Sequence, residues 1–137
     1  MTDIQAMVAE FHAKFGHPNN LGQKPDAFHE RTELRKDLIE EEFNEFLDSH
    51  KWVYSDYHEL VDVDTIEYAD ALADLVYVCF GSALEAGINL NEVLEEVHRS
   101  NMTKVWPDGE VHYHPNGKVA KPEGWQPPNI KEVLGLD

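Results

Sequence analysis

The chain is short of cations. Its 137 residues hold 11 Lys and Arg against 27 Asp and Glu, a formal charge of −16. So acidic a surface repels nucleic acid and anionic membranes, and neither is expected as a partner. It repels a phosphorylated substrate too, unless metal ions reverse the sign locally. Cysteine is almost absent: Cys79 stands alone in a wholly apolar run. It cannot form an intrachain disulfide, which points to a reducing compartment, and a cytoplasmic location is expected. No apolar run approaches the roughly 18 residues of a membrane span. The start, Met-Thr-Asp-Ile-Gln, lacks a basic n-region, so no signal peptide is expected. There is no Gly-x-x-x-x-Gly-Lys-Ser/Thr loop, which excludes a P-loop enzyme, and no EF-hand loop, which argues against a Ca²⁺ sensor. Internal repeats and low-complexity tails are missing as well.

What is present predicts one domain over residues 1–137, all-α, with a core: 42% of the residues are hydrophobic. Ile4, Met7, Val8, Phe11 and Phe15 recur at helical spacing and predict a helix over 3–15, capped by Asp3 or Thr2 and ended by Gly16. Residues 16–25 are a loop by composition. A second helix is predicted over 27–49 with Asp26 as its N-cap. Residues 50–64 break the periodicity and read as a connection, in which Trp52, Tyr54 and Tyr57 serve packing or dimer contacts. A third helix covers 65–86 and stops at Gly87. Asn89 caps a fourth, with Glu92 as capping-box partner and Leu90, Val93, Leu94 and Val97 as its apolar stripe. Residues 105–128 are rich in Gly and Pro, with a small hairpin predicted from Val111–Tyr113 and Lys118–Ala120, and 129–135 make a last short turn.

The acids of the second and third helices are out of place. At about 100° per residue, Leu34, Leu38 and Phe46 define an apolar arc. Glu42 and Glu45 fall inside it, Glu41 lies at its edge, and Glu40 points away. Burying an ionised carboxylate costs several kcal/mol, roughly, unless a cation offsets it. On the third helix Ala69–Ala86 is apolar nearly all round, yet Glu67, Asp70 and Asp74 share a stripe about 60° wide. Structural ion pairs explain this poorly in a chain with so few cations. Packed about 8–10 Å apart, the two helices would point four to six carboxylates into one cleft. All-oxygen ligation selects hard cations, Mg²⁺ or Mn²⁺ ahead of Ca²⁺. Adjacent metals bridged by carboxylates suit phosphoryl chemistry, and a metal-activated water is the remaining nucleophile. Asn101 and Lys104 continue the stripe of the fourth helix and suggest a polar ligand, and Lys121 is one of the few cations available to a phosphate. The pair His112 and His114 lacks a third ligand at metal spacing.

Glu41-Glu42-Phe-Asn-Glu45 resembles the Glu-Glu-x-x-Glu motif of the all-α NTP pyrophosphohydrolases, the MazG-like superfamily. That group includes the dimeric dUTPases and the phosphoribosyl-ATP pyrophosphohydrolases. Its second signature, Glu-x-x-Asp on the next long helix, is similar to Glu67-Tyr-Ala-Asp70 and to the following Ala-Leu-Ala-Asp74. In the second register Ala71 stands where the family has Glu, and Asp70 or Glu67 supplies the missing ligand. The stretch Glu96–Lys104, with Asp108-Gly and Lys121-Pro-Glu-Gly-Trp125, resembles members related to phosphoribosyl-ATP pyrophosphohydrolase. The resemblance covers roughly residues 30–128. It implies a MazG-like bundle of four main helices completed by dimerisation, with a Pro/Gly-rich C-terminal extension, and a homodimer or homotetramer. It implies hydrolysis of a nucleoside triphosphate between the α and β phosphates. Glu42, Glu45, Asp70 and Asp74, with Glu67 as an alternative, would hold Mg²⁺. Glu41 would hold metal or orient the attacking water as base. Lys104 and Lys121 would meet the phosphates, and Asn101 phosphate, sugar or base. The rival readings are a phosphoribosyl-ATP pyrophosphohydrolase and a non-catalytic acidic helical interaction module.

Overall fold

The computed structural model describes residues 2–53 and 59–137, and the side chains of residues 52–61 lie outside the description, including the Trp52, Tyr54 and Tyr57 assigned above to packing. In chain order the elements are α1 (Ile4–Phe15), α2 (Thr32–Asp48), β1 (His50–Val53), β2 (Glu59–Val63), α3 (Thr65–Glu85), α4 (Leu90–Met102), β3 (His112–Tyr113), β4 (Val119–Ala120) and α5 (Ile130–Val133). The chain divides into two compact units, Met1–Ile88 and Asn89–Asp137.

In the first unit α1 and α2 both pack on α3. Asp3 caps α1 by accepting from the Ala6 amide, and Gly16, at φ 75°, ends it in the left-handed region. Asp64 caps α3 by accepting from the Ile66 and Glu67 amides. Helix α2 begins at Thr32, five residues later than the spacing predicts, and Asp26 is not its cap. Residues 26–31 are spent elsewhere. The Asp26 carboxylate accepts from the Phe28 amide in a local turn, while the Asp26 amide donates to the Ala86 carbonyl. Asn20 donates to the carbonyls of Leu84 and Glu85 at 2.8 and 2.7 Å. The loop therefore satisfies the open carbonyls at the end of α3, a tertiary task that overrides local helix formation. The predicted connection over 50–64 contains a second departure. Strands β1 and β2 form an antiparallel hairpin, with Lys51 opposite Asp62 and a bulge between Lys51 and Trp52.

The residue that α2 buries most deeply is a cation. Arg35 donates from Nη1 to Glu85 Oε2 at 3.0 Å, from Nε to Ser82 Oγ at 3.0 Å, and from Nη2 to the Val78 carbonyl at 2.7 Å. Arg31 donates from Nε to Glu85 Oε1 at 2.5 Å. Glu85 is thus held by two guanidinium groups, and His12 packs beside them with its Nδ1 2.7 Å from the Pro18 carbonyl. Burial lowers the His12 pKa, which keeps the ring neutral. Only glycine fits opposite this cluster: a Cβ at Gly81 would stand 2.4 Å from Arg35 Nη2 and 2.9 Å from His12 Nε2. Helix α3 is buried mainly over its last turns, where Phe80, Ala83 and Leu84 form the core with Val8 of α1; toward its N-terminus Ala71 alone is buried. From residue 65 to residue 79 it is otherwise half-buried or exposed, although the run Ala69–Ala86 is apolar nearly all round. Ile66, Leu72 and Val76 are 83%, 40% and 42% exposed.

In the second unit Asn89 caps α4 by accepting from the Glu92 amide. Helix α4 ends at Met102, so Lys104 lies beyond its last turn. The predicted hairpin forms as β3 and β4, with His112 opposite Ala120. Asn129 caps α5 and its amide donates to Glu96, tying α5 to α4.

Candidate active site

One turn of α2 and one turn of α3 bring three carboxylates together. Glu42, Glu45 and Asp74 each offer an oxygen within 4.8 Å of the other two. Spacing explains the pair on α2: residues three apart share a face. Packing of α2 along α3 supplies the third. Among the described residues, no Lys or Arg comes within ion-pair distance of the three. The cations that α2 turns toward α3, Arg31 and Arg35, are committed to Glu85.

The triad carries unrelieved negative charge. Burial, hydrogen bonding with Glu45, and the charges of Asp74, Glu45 and Glu41 push the Glu42 carboxyl up to about 7. Asp74 is raised too, by burial first and then by the charges of Asp70 and Glu45. Glu42 Oε2 is enclosed and has no hydrogen-bond partner. An orphaned oxygen on a carboxylate clustered with two others is what a hard cation satisfies, so these residues fit Mg²⁺ or Mn²⁺.

Beside the triad lies a cleft of about 290 Å³, lined by Glu45 and Asp48 of α2 and by Glu67, Asp70 and Ala71 of α3. Glu45 belongs to both groups. Of the six acids expected to hold metal, then, the structure places Glu42, Glu45 and Asp74 in one cluster and Glu45, Glu67 and Asp70 along one cleft. Glu41 is exposed, outside both, and acts on Glu42 through its charge. At 71 the side chain is a buried methyl, and the neighbouring carboxylates are those of Asp70 and Glu67. Sequence reasoning missed Asp48, although the same i, i+3 rule that joins Glu42 to Glu45 joins Glu45 to it.

The second unit gathers the predicted substrate contacts around one ring. Lys104 Nζ lies 5.2 Å and Lys121 Nζ 4.8 Å from the centre of the Trp125 indole. Asn101 is exposed and lines, with Lys104, a separate cleft of about 310 Å³ whose remaining walls are apolar. His112 is engaged otherwise: its Nε2 meets Asp108 at 2.8 Å and its ring stacks on Trp106.

A helical scaffold with carboxylates from two packed helices converging on one point is an arrangement able to hold a hard divalent cation between helices. The family follows from the sequence as a whole. The family model for phosphoribosyl-ATP pyrophosphohydrolase matches residues 8–101, and the chain belongs to that family. A relative in Acanthamoeba polyphaga mimivirus, the uncharacterized protein L479, is 33% identical over 123 residues. That match takes in 88% of this chain, which spans 42% of the viral protein's length. A solved structure, of a candidate NTP pyrophosphohydrolase from Exiguobacterium sp. 255-15, is 26% identical and has a TM-score of 0.48, over 98% of this chain and 94% of the other. No single described helix is long and apolar enough to cross a membrane.

Proposed function

We propose that the protein hydrolyses nucleoside or deoxynucleoside triphosphates at the α–β bond, giving a monophosphate and pyrophosphate, in the service of nucleotide-pool housekeeping. The observation that carries this reading is the triad Glu42, Glu45 and Asp74 with its orphaned Glu42 oxygen, in a chain of this family. Glu42, Glu45 and Asp74 hold Mg²⁺, for which Mn²⁺ substitutes, and Asp70 and Glu67 extend the ligand set along the neighbouring cleft. When bound, the cation neutralises phosphate oxygens and acidifies a water. Glu41, free of the cluster but next to it in sequence, accepts the proton of the attacking water. Lys104 and Lys121 supply positive charge to the phosphates, where an otherwise acidic chain has little to give. Asn101 hydrogen-bonds phosphate, sugar or base. The working form is a homodimer or homotetramer.

A second reading has a specific support: the matching family is named for phosphoribosyl-ATP, a substrate cut by the same chemistry. Pyrophosphate release separates the two. The assay takes a panel of dNTPs, NTPs and phosphoribosyl-ATP with Mg²⁺, and compares the wild type with Glu42→Ala and Asp74→Ala. We expect release from ordinary triphosphates and a loss of roughly 100-fold or more in each variant, as befits groups in direct contact with the cation. Release from phosphoribosyl-ATP alone would favour the second reading. No release from any of them would sink both.

A further inference from the structure

The second unit contains a cleft that the carboxylate chemistry does not use. It measures about 440 Å³, within the roughly 300–1,000 Å³ of small-molecule sites; Trp106, Pro107, Pro122 and Trp125 supply most of its apolar lining, and Arg99 and Glu123 are the charged residues that line it. Both indoles are fixed before any ligand arrives. Trp106 sits in a turn closed from both sides, its amide on the Glu110 carbonyl at 2.9 Å and its carbonyl accepting from Gly109 at 2.8 Å. Its Nε1 donates to the Ala120 carbonyl at 2.9 Å, and His112 stacks on the ring at 4.1 Å between centres. Trp125 closes the turn Pro122–Trp125 through its amide, with Gly124 at φ 81°, and its Nε1 donates to the Ser100 carbonyl at 3.1 Å. With both indole N–H groups satisfied internally, what the rings offer the cleft is π surface. Prolines on two walls stiffen it further.

The second observation is charge. Lys104 and Lys121 do not line the cleft themselves but converge on the Trp125 ring that does, 5.2 and 4.8 Å from its centre, Lys104 also lining the neighbouring cleft with Asn101. The electron-rich ring face offsets part of the repulsion between two ammonium groups. In a chain with 11 cations against 27 acids, two held at one ring mark a place for an anion. Arg99 at the cleft is already neutralised by Glu96, at 2.6 and 2.8 Å. An apolar ligand would leave the lysines idle, and a bare phosphate would leave the indoles idle.

We propose that this cleft is a nucleobase subsite: a planar base stacks against Trp106 and Trp125 while the phosphates attached to it meet Lys104 and Lys121. The assignment of the ligand as a nucleotide rests on the hydrolase reading above. Stacking of this kind tolerates every base, because each has a π face, and differs among them in strength.

The test uses the ¹⁵N-labelled full chain, with the indole N–H signals of Trp106 and Trp125 assigned through Trp106→Phe and Trp125→Phe. The probes are the four α,β-methylene deoxynucleoside triphosphates, which cannot be cut at the α–β bond, and inorganic pyrophosphate. We expect each nucleotide to move both indole signals, by amounts that differ among the bases, and pyrophosphate to move them much less. The double variant Lys104→Gln and Lys121→Gln should weaken nucleotide binding by about tenfold or more. Equal shifts with pyrophosphate and nucleotide would place the base elsewhere and overturn the inference. Unmoved indoles in a chain that releases pyrophosphate from dNTPs would overturn it too and leave the hydrolase reading standing. Base-dependent shifts in a chain that releases none would uphold the cleft and remove that reading.

Discussion

Glu42 concentrates the electrostatics of the triad in a single side chain. Its carboxyl is raised from 4.5 to about 7 because burial and three neighbouring acids penalise its ionised form. In the metal-free chain a raised acid stabilises the fold fully only below its unfolded pKa, near 4.5. That stability is lost as the pH rises through about 7. The melting temperature of the metal-free protein should therefore fall between pH 5 and pH 8. If the triad holds Mg²⁺ as proposed, the cation should reverse the trend, because it would bind the deprotonated carboxylates and only in the folded state. Glu42→Gln keeps the shape and removes the charge. It should raise the metal-free melting temperature at pH 8, on the order of 5 °C, and abolish the further rise on adding Mg²⁺. Thermal scans at the two pH values, with Mg²⁺ and with a chelator, check both signs. A variant no more stable than the wild type in chelator would mean the triad is not a repulsive cluster.

The element on which α2 packs to complete the triad is α3, which carries Asp74 and is anchored at its other end. Its C-terminal half holds Glu85 between Arg31 and Arg35, with Gly81 and His12 packed against the guanidinium. Breaking a buried pair by removing one partner leaves an uncompensated charge, at about 3–5 kcal/mol. Glu85→Gln should approach that loss in chemical denaturation. Gly81→Ala should cost about 1–3 kcal/mol or more, since its Cβ meets Arg35 and His12 at under 3 Å and neither can retreat without breaking a hydrogen bond. Mg²⁺ affinity of the folded fraction should change little in either variant, because neither residue belongs to the triad. A strong loss of affinity without loss of stability would contradict the division of α3 into an anchored half and an acid-bearing half.

For the molecule as a whole, the informative fact is how little of the first unit's apolar surface one chain covers. Phe43 and Leu47 on α2 and Leu72 and Val76 on α3, each pair one helical turn apart, are 40–48% exposed. Burial of such residues is worth about 25 cal/mol per Å², and a second copy is the partner that the family resemblance implies. Sedimentation should find a dimer or larger. Leu72→Glu with Val76→Glu should shift it toward monomer, lower its stability, and reduce activity. A wild type that sediments as a monomer at micromolar concentration would reject the oligomer.

The sequence by itself determined most of the helices and which carboxylates share a face. Helical periodicity, Asp3 and Asn89 as caps, and Gly16 as a stop are local signals, and local signals survive folding. The phase of Glu42 and Glu45 on one helix face is likewise fixed by the 3.6-residue turn, as is the small hairpin by its Pro-Asn-Gly turn. Tertiary structure decided what depends on packing between distant segments. It chose Asp74 as the third member of the triad, left Asp70 and Glu67 along the neighbouring cleft with Asp48, and set Glu41 outside. It buried Arg35 where an apolar arc had been read, because Glu85, fifty residues away, offers a partner that no periodicity reveals. It started α2 late because residues 26–31 are needed near the end of α3. Covalent neighbours fix a residue's face; only the fold fixes what that face meets.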